Sequence, residues 1–526
     1  MFHVRHATLL LNNRLTRAYA SAPELRWPGW AVVIGIETHV QIKSRHKLFS
    51  NGTHPSAQLD DSTSVLAPFD LALPGALPVL NRVCVQLGIR AAIALRANCQ
   101  RWSSFDRKHY FYPDLPAGFQ ITQHYRKSLI QHPFAKGGSL AIWPDKVIRI
   151  EQIQLEQDTA KTTHLPRETL VDYGRAGVGL LEIVSRPDMR SPEEATAYVK
   201  TLQHVLRSIG VSDGNMEDGS LRCDVNVSVN RPGEQFGTRC EIKNLNSLKN
   251  MTLALSTASD SSQIDCEIKR HVDLLERGES VVQETRGFNE DTVETFTLRR
   301  KEDAPDYRYM PDPNIPPLII TESDVRAVRE AMPQVPEEIR ERLVEQGLPD
   351  RDINVLLSID SGATVGFDGH VSDGAVTYFT EVSKGRSPRV VLNWIVHELL
   401  GQLVFHKLSF AENPLSATQL GELIDLVTAE TITTRAGKDV LRQIIRSRTE
   451  LRVKDIVREM GLLLDTSSLE EYCAAAIAAL PSEADAVRGG NPKPLNKLIG
   501  YVMRQSKGAM RPDKTSECLQ KLLSSG

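Results

Sequence analysis

The sequence predicts a mixed strand-and-helix region from about residue 30 to residue 320, followed by a region built of helices alone. Three observations predict this. Residues 33–42 (VIGIETHVQI), 221–229 (LRCDVNVSV) and 239–247 (RCEIKNLNS) alternate polar with apolar residues, as half-buried strands do. Loops rich in Pro, Gly and Asp separate such runs. Past residue 321 the apolar spacing becomes helical. At 526 residues the chain is too long for one core, so two or three domains are expected.

In chain order, the first 23 residues come first. Arg5, Arg14 and Arg17 occur there with no acid before Glu24. That composition predicts a mitochondrial transit peptide over residues 1–23, the alternative being a disordered cytosolic arm, with Arg17-Ala18-Tyr19-Ala20 resembling a cleavage site after Tyr19. Side chains alternate faces along a strand, so Glu37 lies beside His39, Asp224 beside Asn226, and Glu241 beside Lys243. The opposite faces carry Ile36 and Val40, then Cys223, Val225 and Val227, then Cys240 and Ile242. Residues 191–210 read as a helix, with Ser191 as N-cap, Pro192 at the first position and Gly210 past the end. Residues 251–278 read as a second helix that Gly278 stops. The run PDPNIPPL (311–318) breaks any regular element, and a domain boundary is expected just after it. Helices are then expected over residues 323–332, 336–346, 387–403, 416–427 and 474–480. This gives a domain at 30–320, a helical domain at 321–434 and a helical tail domain at 435–526.

Composition excludes several classes. Hydrophobic content of 41% and charged content of 25% are ordinary for a globular chain, and no run is long and apolar enough to span a membrane. The seven cysteines form no C-x-x-C pair, so buried reduced thiols are expected rather than a disulfide framework. The net charge of −3 hides a local asymmetry: residues 488–526 hold eight Lys or Arg against two acids. That is the electrostatic footprint of a nucleic-acid partner, or an ordinary solvated helix face.

The chemistry is expected at the acids. Glu37, Glu156, Glu182, Asp224 and Glu241 all fall in or beside apolar strand-like stretches. A buried carboxylate is costly unless paired or bound to a cation. Oxygen ligands of this kind suit Mg2+, which commonly bridges a protein carboxylate and substrate phosphates. His39 is a further ligand candidate. Taken singly, each acid is better explained by a pair with Arg149, Lys161, Arg175 or Arg222; taken as a set, recurring on separate strands, they favour a cation site. The segment FDRKHYFYPDLPAGFQ (105–120) adds Lys108 before an aromatic patch, suited to stacking, to a narrow channel or to plain packing. Arg286, Arg299, Arg300, Lys301 and Arg308 match a polyphosphate or an RNA backbone, or form surface ion pairs. The P-loop, the dinucleotide fingerprint and the G-x-S-x-G elbow are absent from the sequence. His397-Glu398 begins like H-E-x-x-H, but Gly401 stands at the second His. No obvious nucleophile with a base is in sight.

Together these residues resemble the B-subunit family of glutamyl-tRNA(Gln) amidotransferases, in its mitochondrial form. The resemblance is carried by VIGIETHVQI, LALPGALPVLN, FDRKHYFYPDLPAGFQITQ, LEQDTAK, LVDYGRAGVGLLEIVSRPDMRSPEEA, GSLRCDVNVSV, GTRCEIKNLNS, QETRGF and DYRYMPDP, with LIGYVMRQSKG in the tail. It implies an α+β fold: a mixed-sheet cradle domain, a helical domain and a small all-α tail domain. It implies a ligase in the mitochondrial matrix that uses ATP and Mg2+ to phosphorylate the γ-carboxylate of misacylated Glu-tRNA(Gln). Ammonia from a partner amidase, the A-type subunit, then displaces phosphate. A small third subunit of C type or fungal F type is implied as well. By motif position, Glu37, His39, Glu156, Glu182, Asp224 and Glu241 are the catalytic residues, and all but Glu37 are implied Mg2+ ligands. Lys108 and Gln157 fall on the ammonia channel, with Lys243 and Asn244 as neighbours of the site. Lys497, Arg504, Lys507 and Arg511 are the tRNA-binding candidates. Bacterial relatives usually carry two acids where this chain has Glu156-Gln157. Some also carry paired cysteines near residues 48–74; this chain has none there, so no structural zinc is expected. Two readings of other classes stand beside this one: an RNA-binding scaffold whose active site has lapsed, and a metal-dependent phosphotransferase acting on a free small molecule.

Overall fold

The computed structural model describes residues 26–57, 65–123, 133–245, 262–289, 294–300, 306–360, 365–371, 374–462, 469–506, 510 and 512–524. The segment expected as a transit peptide lies outside them. The described residues fall into two compact units. One lies within Met1–Pro336 and Thr364–Val371, the other within Glu337–Ala363 and Ser372–Gly526.

The first unit is built on a thirteen-stranded sheet. Its principal strands are β1 (Ala31–Gln41), β2 (Asp106–His109), β3 (Phe119–Thr122), β4 (Lys146–Gln157), β5 (Gly179–Ser185), β6 (Leu221–Asn230), β7 (Cys240–Leu245), β8 (Glu284–Asn289) and β9 (Glu294–Arg300). Their spatial order is β9-β8-β7-β6-β1-β5-β4-β3-β2. Neighbours pair antiparallel except β7 with β8, which is parallel, so the sheet is mixed. The three strands singled out in the sequence are thus consecutive in space. The long strand β1 lies at the centre, between β5 and β6.

One face of this sheet is dry. Ile34, Ile36 and Val40 of β1, Val225 and Val227 of β6 and Ile242 of β7 belong to a single core cluster. Three helices pack onto it: α1 (Arg82–Ala94), α2 (Pro192–Ser208) and α3 (Gln263–Glu276). Fully burying a residue such as Leu202 or Ile268 contributes roughly 1.5–3 kcal/mol. Helix α2 starts as expected, with the Ser191 side chain accepting from the Glu194 N–H. It ends at Gly210, which has φ +71° and lies where a Cβ would meet the Gly369 carbonyl oxygen at 2.7 Å. Only glycine satisfies both the left-handed backbone and that approach. Helix α3 is shorter than the periodicity suggests. Ser262 accepts from the Asp265 N–H and starts it there, and residues 251–261 are outside the described set. A further helix, α4 (Glu322–Ala331), sends Val325 and Val328 onto the same core, together with Met332 and Val335. The compact unit built on the sheet therefore extends to Pro336.

A buried ionic knot fastens α3 to the edge of the sheet. Glu267, fully buried, faces Arg270 Nη2 at 2.6 Å, Arg286 Nε at 3.2 Å and His271 Nε2 at 2.9 Å. Arg286 also pairs with Glu284. Burial opposes the Glu267 charge, but hydrogen bonds from His271 and Arg270 and the charges of both outweigh it, leaving its carboxyl well below the usual range. Of the two roles open to Arg286, phosphate donor or ion-pair partner, the structure shows the second, as part of this knot.

The second unit is helical. Its helices are α5 (Pro336–Glu345), α6 (Asp350–Asp360), α7 (Ala375–Val382), α8 (Pro388–Asn393), α9 (Leu400–Phe405), α10 (Ala417–Thr428), α11 (Thr434–Ser447), α12 (Val453–Glu459), α13 (Leu469–Ala479), α14 (Pro481–Arg488), α15 (Leu495–Gln505) and α16 (Pro512–Ser524). Between α8 and α9 the chain makes a π-helical turn, Trp394–Leu399, so the helix expected over 387–403 is continuous in direction but not in hydrogen bonding. Two cores are present. Val440, Leu441 and Ile444 of α11 and Ile456 of α12 join the first of them. The second core gathers Cys473, Leu498, Val502 and Leu519. Among the described residues no helix is long and apolar enough to cross a membrane.

Replacing one member of the knot strands the others in a dry site. Glu267→Ala is expected to lower stability by about 3–5 kcal/mol, read as a denaturant midpoint shift at unchanged slope. Truncating the exposed Glu322 is expected to change it by under about 0.5 kcal/mol.

Candidate functional site

The polar face of the sheet gathers the candidate acids because the register leaves them nowhere else. Glu37 of β1 pairs with Asp224 of β6, and His39 pairs with Glu182 of β5 on one side and Arg222 of β6 on the other. Glu182 pairs with Gln154 of β4, and Glu156 follows two residues on, on the same face. Asn226 of β6 pairs with Glu241 of β7, which pairs in turn with Thr285 of β8. The result is a band of polar side chains running across adjacent strands from β4 to β8. The outlet for the apolar alternation is the core beneath; the outlet for the acids is this face.

The band carries too much negative charge to stand alone. Glu37, His39 and Asp224 each offer a ligand atom within 4.8 Å of the others, and so do His39, Glu156 and Glu182. His39 Nε2 lies 3.6 Å from Glu37 Oε1. Burial, then the charges of Glu156 and Glu37 and a hydrogen bond with Glu37, push the Glu182 carboxyl well above the ordinary range, with Gln154 donating a hydrogen bond that works against the shift. One cation of the chain is already in place. Lys243 Nζ lies 2.8 Å from Asp224 Oδ2 and 3.6 Å from Glu241 Oε1. Burial opposes its charge, but Asp224, Glu241 and Glu37 hold its pKa at about 12. Thr285 Oγ1 donates to Glu241 Oε2 at 2.9 Å, and Gln120 Nε2 donates to Glu156 Oε1 at 2.8 Å. Lys243 reaches only the Asp224–Glu241 side. The His39–Glu156–Glu182 side is left with repelling acids and an imidazole, a donor set that fits a hard divalent cation.

The arginines thought able to neutralise these acids singly go elsewhere. Arg149 pairs with Asp188 at 2.6 Å. Arg222 and Arg175 both turn to Asp158, at 2.9 and 3.7 Å. Asp158, which sequence reasoning passes over, is buried and also accepts from Gln41 at 2.9 Å, so it anchors the floor beside the band. Gln154 and Gln120 are missed in the same way; a step of two residues back from Glu156 finds the first.

A cavity of about 310 Å3 opens on the band, lined by His39, Lys108, Glu156, Arg222, Asp224 and Lys243 among others. Lys108 enters it from β2, with its ammonium 4.9 Å from the Tyr307 ring centroid and 5.8 Å from that of Tyr110. Tyr309 meets Tyr307 edge-on, with ring centroids 6.1 Å apart. Burial, then the charges of Glu156 and Glu182, Tyr307 and Glu37, push its phenol up. Gln157, one residue from Glu156, alternates away from the band. Its Oε1 accepts from the Ile121 N–H at 3.4 Å, and it lines a separate small cavity with Asp114 and Asp158. Asn244 is the residue of β7 after Lys243. In the second unit, Lys497 and Arg504 line a cleft of about 1270 Å3 together with Arg435. Lys497 leans on Glu483 at 3.4 Å and Lys514 on Glu517 at 3.3 Å, so part of the tail's formal charge is spent locally. Lys507 and Arg511 are outside the described residues.

Residues 32–326 match the family described as the GatB/GatE catalytic domain, and residues 377–523 match the GatB domain. The chain is 48% identical to a protein of Laccaria bicolor named as the mitochondrial B subunit of glutamyl-tRNA(Gln) amidotransferase, with 100% of this chain and 98% of that one covered. It is 42% identical to a protein of the same name in Mycosarcoma maydis, covering 93% and 86%. It is 38% identical to the B subunit of aspartyl/glutamyl-tRNA(Asn/Gln) amidotransferase from Rickettsia bellii, covering 94% and 98%.

Cation binding here is expected to be linked to protons. The raised Glu182 pKa means that the folded chain holds this proton more tightly than the unfolded chain does. The group therefore favours folding at low pH, and that contribution is lost as pH rises through the folded value. A divalent cation needs the ionised form. The rise in Tm on adding Mg2+ is therefore expected to grow as pH rises and Glu182 ionises, and Glu182→Gln to flatten that growth. Differential scanning fluorimetry measures both.

Proposed function

The chain belongs to the B-subunit family of tRNA amidotransferases, and from that membership we propose the work of each part of the band. The protein is a mitochondrial component of a ligase: with its partner chains it converts misacylated Glu-tRNA(Gln) to Gln-tRNA(Gln), using ATP. A carboxylate is a poor acyl donor, and its oxygen must leave. Attack of the γ-carboxylate oxygen on the terminal phosphorus of ATP releases ADP and gives an acyl phosphate. Ammonia then attacks the carbonyl carbon and phosphate departs with that oxygen.

The observation that carries the residue assignment is the register that sets Glu37 against Asp224 and His39 against Glu182. Glu37, His39, Glu156, Glu182, Asp224 and Glu241 form the reacting surface, and His39, Glu156, Glu182, Asp224 and Glu241 would hold Mg2+. Bound there, Mg2+ supplies charge neutralisation for the phosphoryl oxygens during transfer. Lys243 fixes the Asp224 and Glu241 carboxylates, so that part of the face is set before substrate arrives. Thr285 and Gln120 fix the orientation of Glu241 and Glu156 in the same way. Lys108, flanked by two tyrosine rings at the cavity wall, keeps the ammonia path narrow and dry. An arriving ammonia must stay unprotonated to be a nucleophile, and a fixed ammonium at that wall disfavours NH4+. Gln157 lies on the far side of β4 from the acids, beside that path rather than among the ligands.

Ammonia production is assigned to the partner amidase of A type, with a small third subunit of C or fungal F type completing the complex in the matrix. The tail is assigned to the tRNA, through Lys497, Arg504, Lys507 and Arg511.

Reconstitution with an amidase partner tests this. Asp224→Ala and Glu241→Ala are each expected to lower Gln-tRNA(Gln) formation by about a hundredfold or more, while glutamine hydrolysis by the partner persists. Unchanged transamidation in both variants would sink the assignment and favour a lapsed site. Deleting residues 488–526 is expected to weaken Glu-tRNA(Gln) binding and to flatten its salt dependence. Turnover indifferent to that deletion would favour a free small-molecule substrate.

A further inference from the structure

We propose that Arg239, Arg299 and Arg300 form the triphosphate-binding wall of the site, so that nucleotide and ammonia approach the acid band from opposite flanks. This rests on the phosphoryl-transfer reading above and adds the residues and the side from which ATP enters.

The register makes the first case. The rank Asn226–Glu241–Thr285 continues one strand further, to Arg299 of β9, which pairs with Thr285. Arg299 therefore lies on the same face as the acids and on the same rank as Glu241. Arg300 and Arg239 join it at a second cavity of about 170 Å3, whose lining includes Glu37, Asn226, Glu241 and Thr285. This cavity and the larger one lie on either side of the Glu37–Asp224 pair: Glu37 lines one, Asp224 the other.

Charge makes the second case. Among the described residues the structure records no ion pair for Arg239, Arg299 or Arg300, although Arg286 and Arg270 nearby are both paired. Three guanidiniums without carboxylate partners among those residues, gathered at one cavity beside a cation-binding acid band, are arranged for an anion that the same band must reach. A nucleoside triphosphate has that form: its terminal phosphoryl group meets the metal and its remaining oxygens need planar, multidentate donors.

Size makes the third. Small-molecule pockets generally run about 300–1,000 Å3. The smaller cavity suits the phosphate chain but not the base and ribose, which would extend outward past the exposed Arg239 and Arg300. An RNA backbone presents single phosphates spaced along a strand and asks for a stripe of cations, not a recess shared with carboxylates.

The test uses the reconstituted amidotransferase complex, with KM for ATP, KM for Glu-tRNA(Gln) and kcat measured for Arg299→Ala, Arg300→Ala and Arg239→Ala, and for Arg299→Lys. Loss of a charge-assisted hydrogen bond predicts a rise in the KM for ATP of about tenfold or more for Arg299→Ala, a partial recovery in Arg299→Lys, and an unchanged KM for Glu-tRNA(Gln). The exposed Arg300 and Arg239 variants carry the test if Arg299→Ala fails to assemble; each is expected to raise the KM for ATP in the same direction. An unchanged KM for ATP across the set overturns the proposal, and so does a rise confined to the KM for tRNA, which would make these arginines readers of RNA. Neither result touches the amidotransferase reading, which fails only if the unsubstituted complex makes no Gln-tRNA(Gln).

Discussion

Mutual repulsion of carboxylates on one face of a sheet is the constraint from which the rest of the first unit follows. The register of β1 against β5 and β6 presses Glu37, Asp224 and Glu182 together around His39. Such a face cannot persist in low dielectric without compensation, and the fold supplies it unevenly. On the Asp224–Glu241 side a lysine is built in. On the Glu156–Glu182 side compensation comes from two glutamine amides, and burial beside Glu156 and Glu37 raises the proton affinity of Glu182. The asymmetry separates a half of the face held by Lys243 from one that no lysine or arginine of the described residues pairs.

The apolar half of the unit keeps that tension from dissipating. Helices α1, α2 and α3 cover the opposite face and hold Ile34, Ile36 and Val40 in a continuous core with Val225 and Val227. A one-residue slip of β1 would exchange those residues with Glu37 and His39, so the cost of exposing the core also fixes the acids. Near the sheet edge, where only two parallel residue pairs join β7 to β8 among the described residues, the Glu267 knot provides the fastening. Arg286 belongs to that fastening and Arg299 to the open face, though both lie in the same basic stretch of sequence.

That contrast separates what can be read from sequence from what cannot. Strand alternation alone predicts the face on which Glu37, His39, Asp224 and Glu241 lie, because a period of two needs no tertiary information. It is local chemistry that predicts α2 to within a residue, since Ser191, Pro192 and Gly210 mark its ends. The partner of each charge is not legible. Arg222 serves Asp158 rather than an acid of the band, and Gln157 turns away from Glu156, because pairing depends on which strands become neighbours. The start of α3 differs from the sequence expectation for a related reason: apolar spacing continues upstream, but Ser262 caps the helix. Adjacency of β4, β5 and β1, separated by long loops, comes only with the fold; the substrate comes only with the long family motifs.

Activation of a carboxylate by phosphorylation on this face is the central claim, and its direct test is isotopic. Glu-tRNA(Gln) carrying 18O in the γ-carboxylate is converted by the reconstituted complex with ATP and ammonium chloride, and the released phosphate is examined by mass spectrometry. The expected result is one 18O in the phosphate for each Gln-tRNA(Gln) formed, with both products lost together in Asp224→Ala. Gln-tRNA(Gln) formed alongside unlabelled phosphate would contradict it.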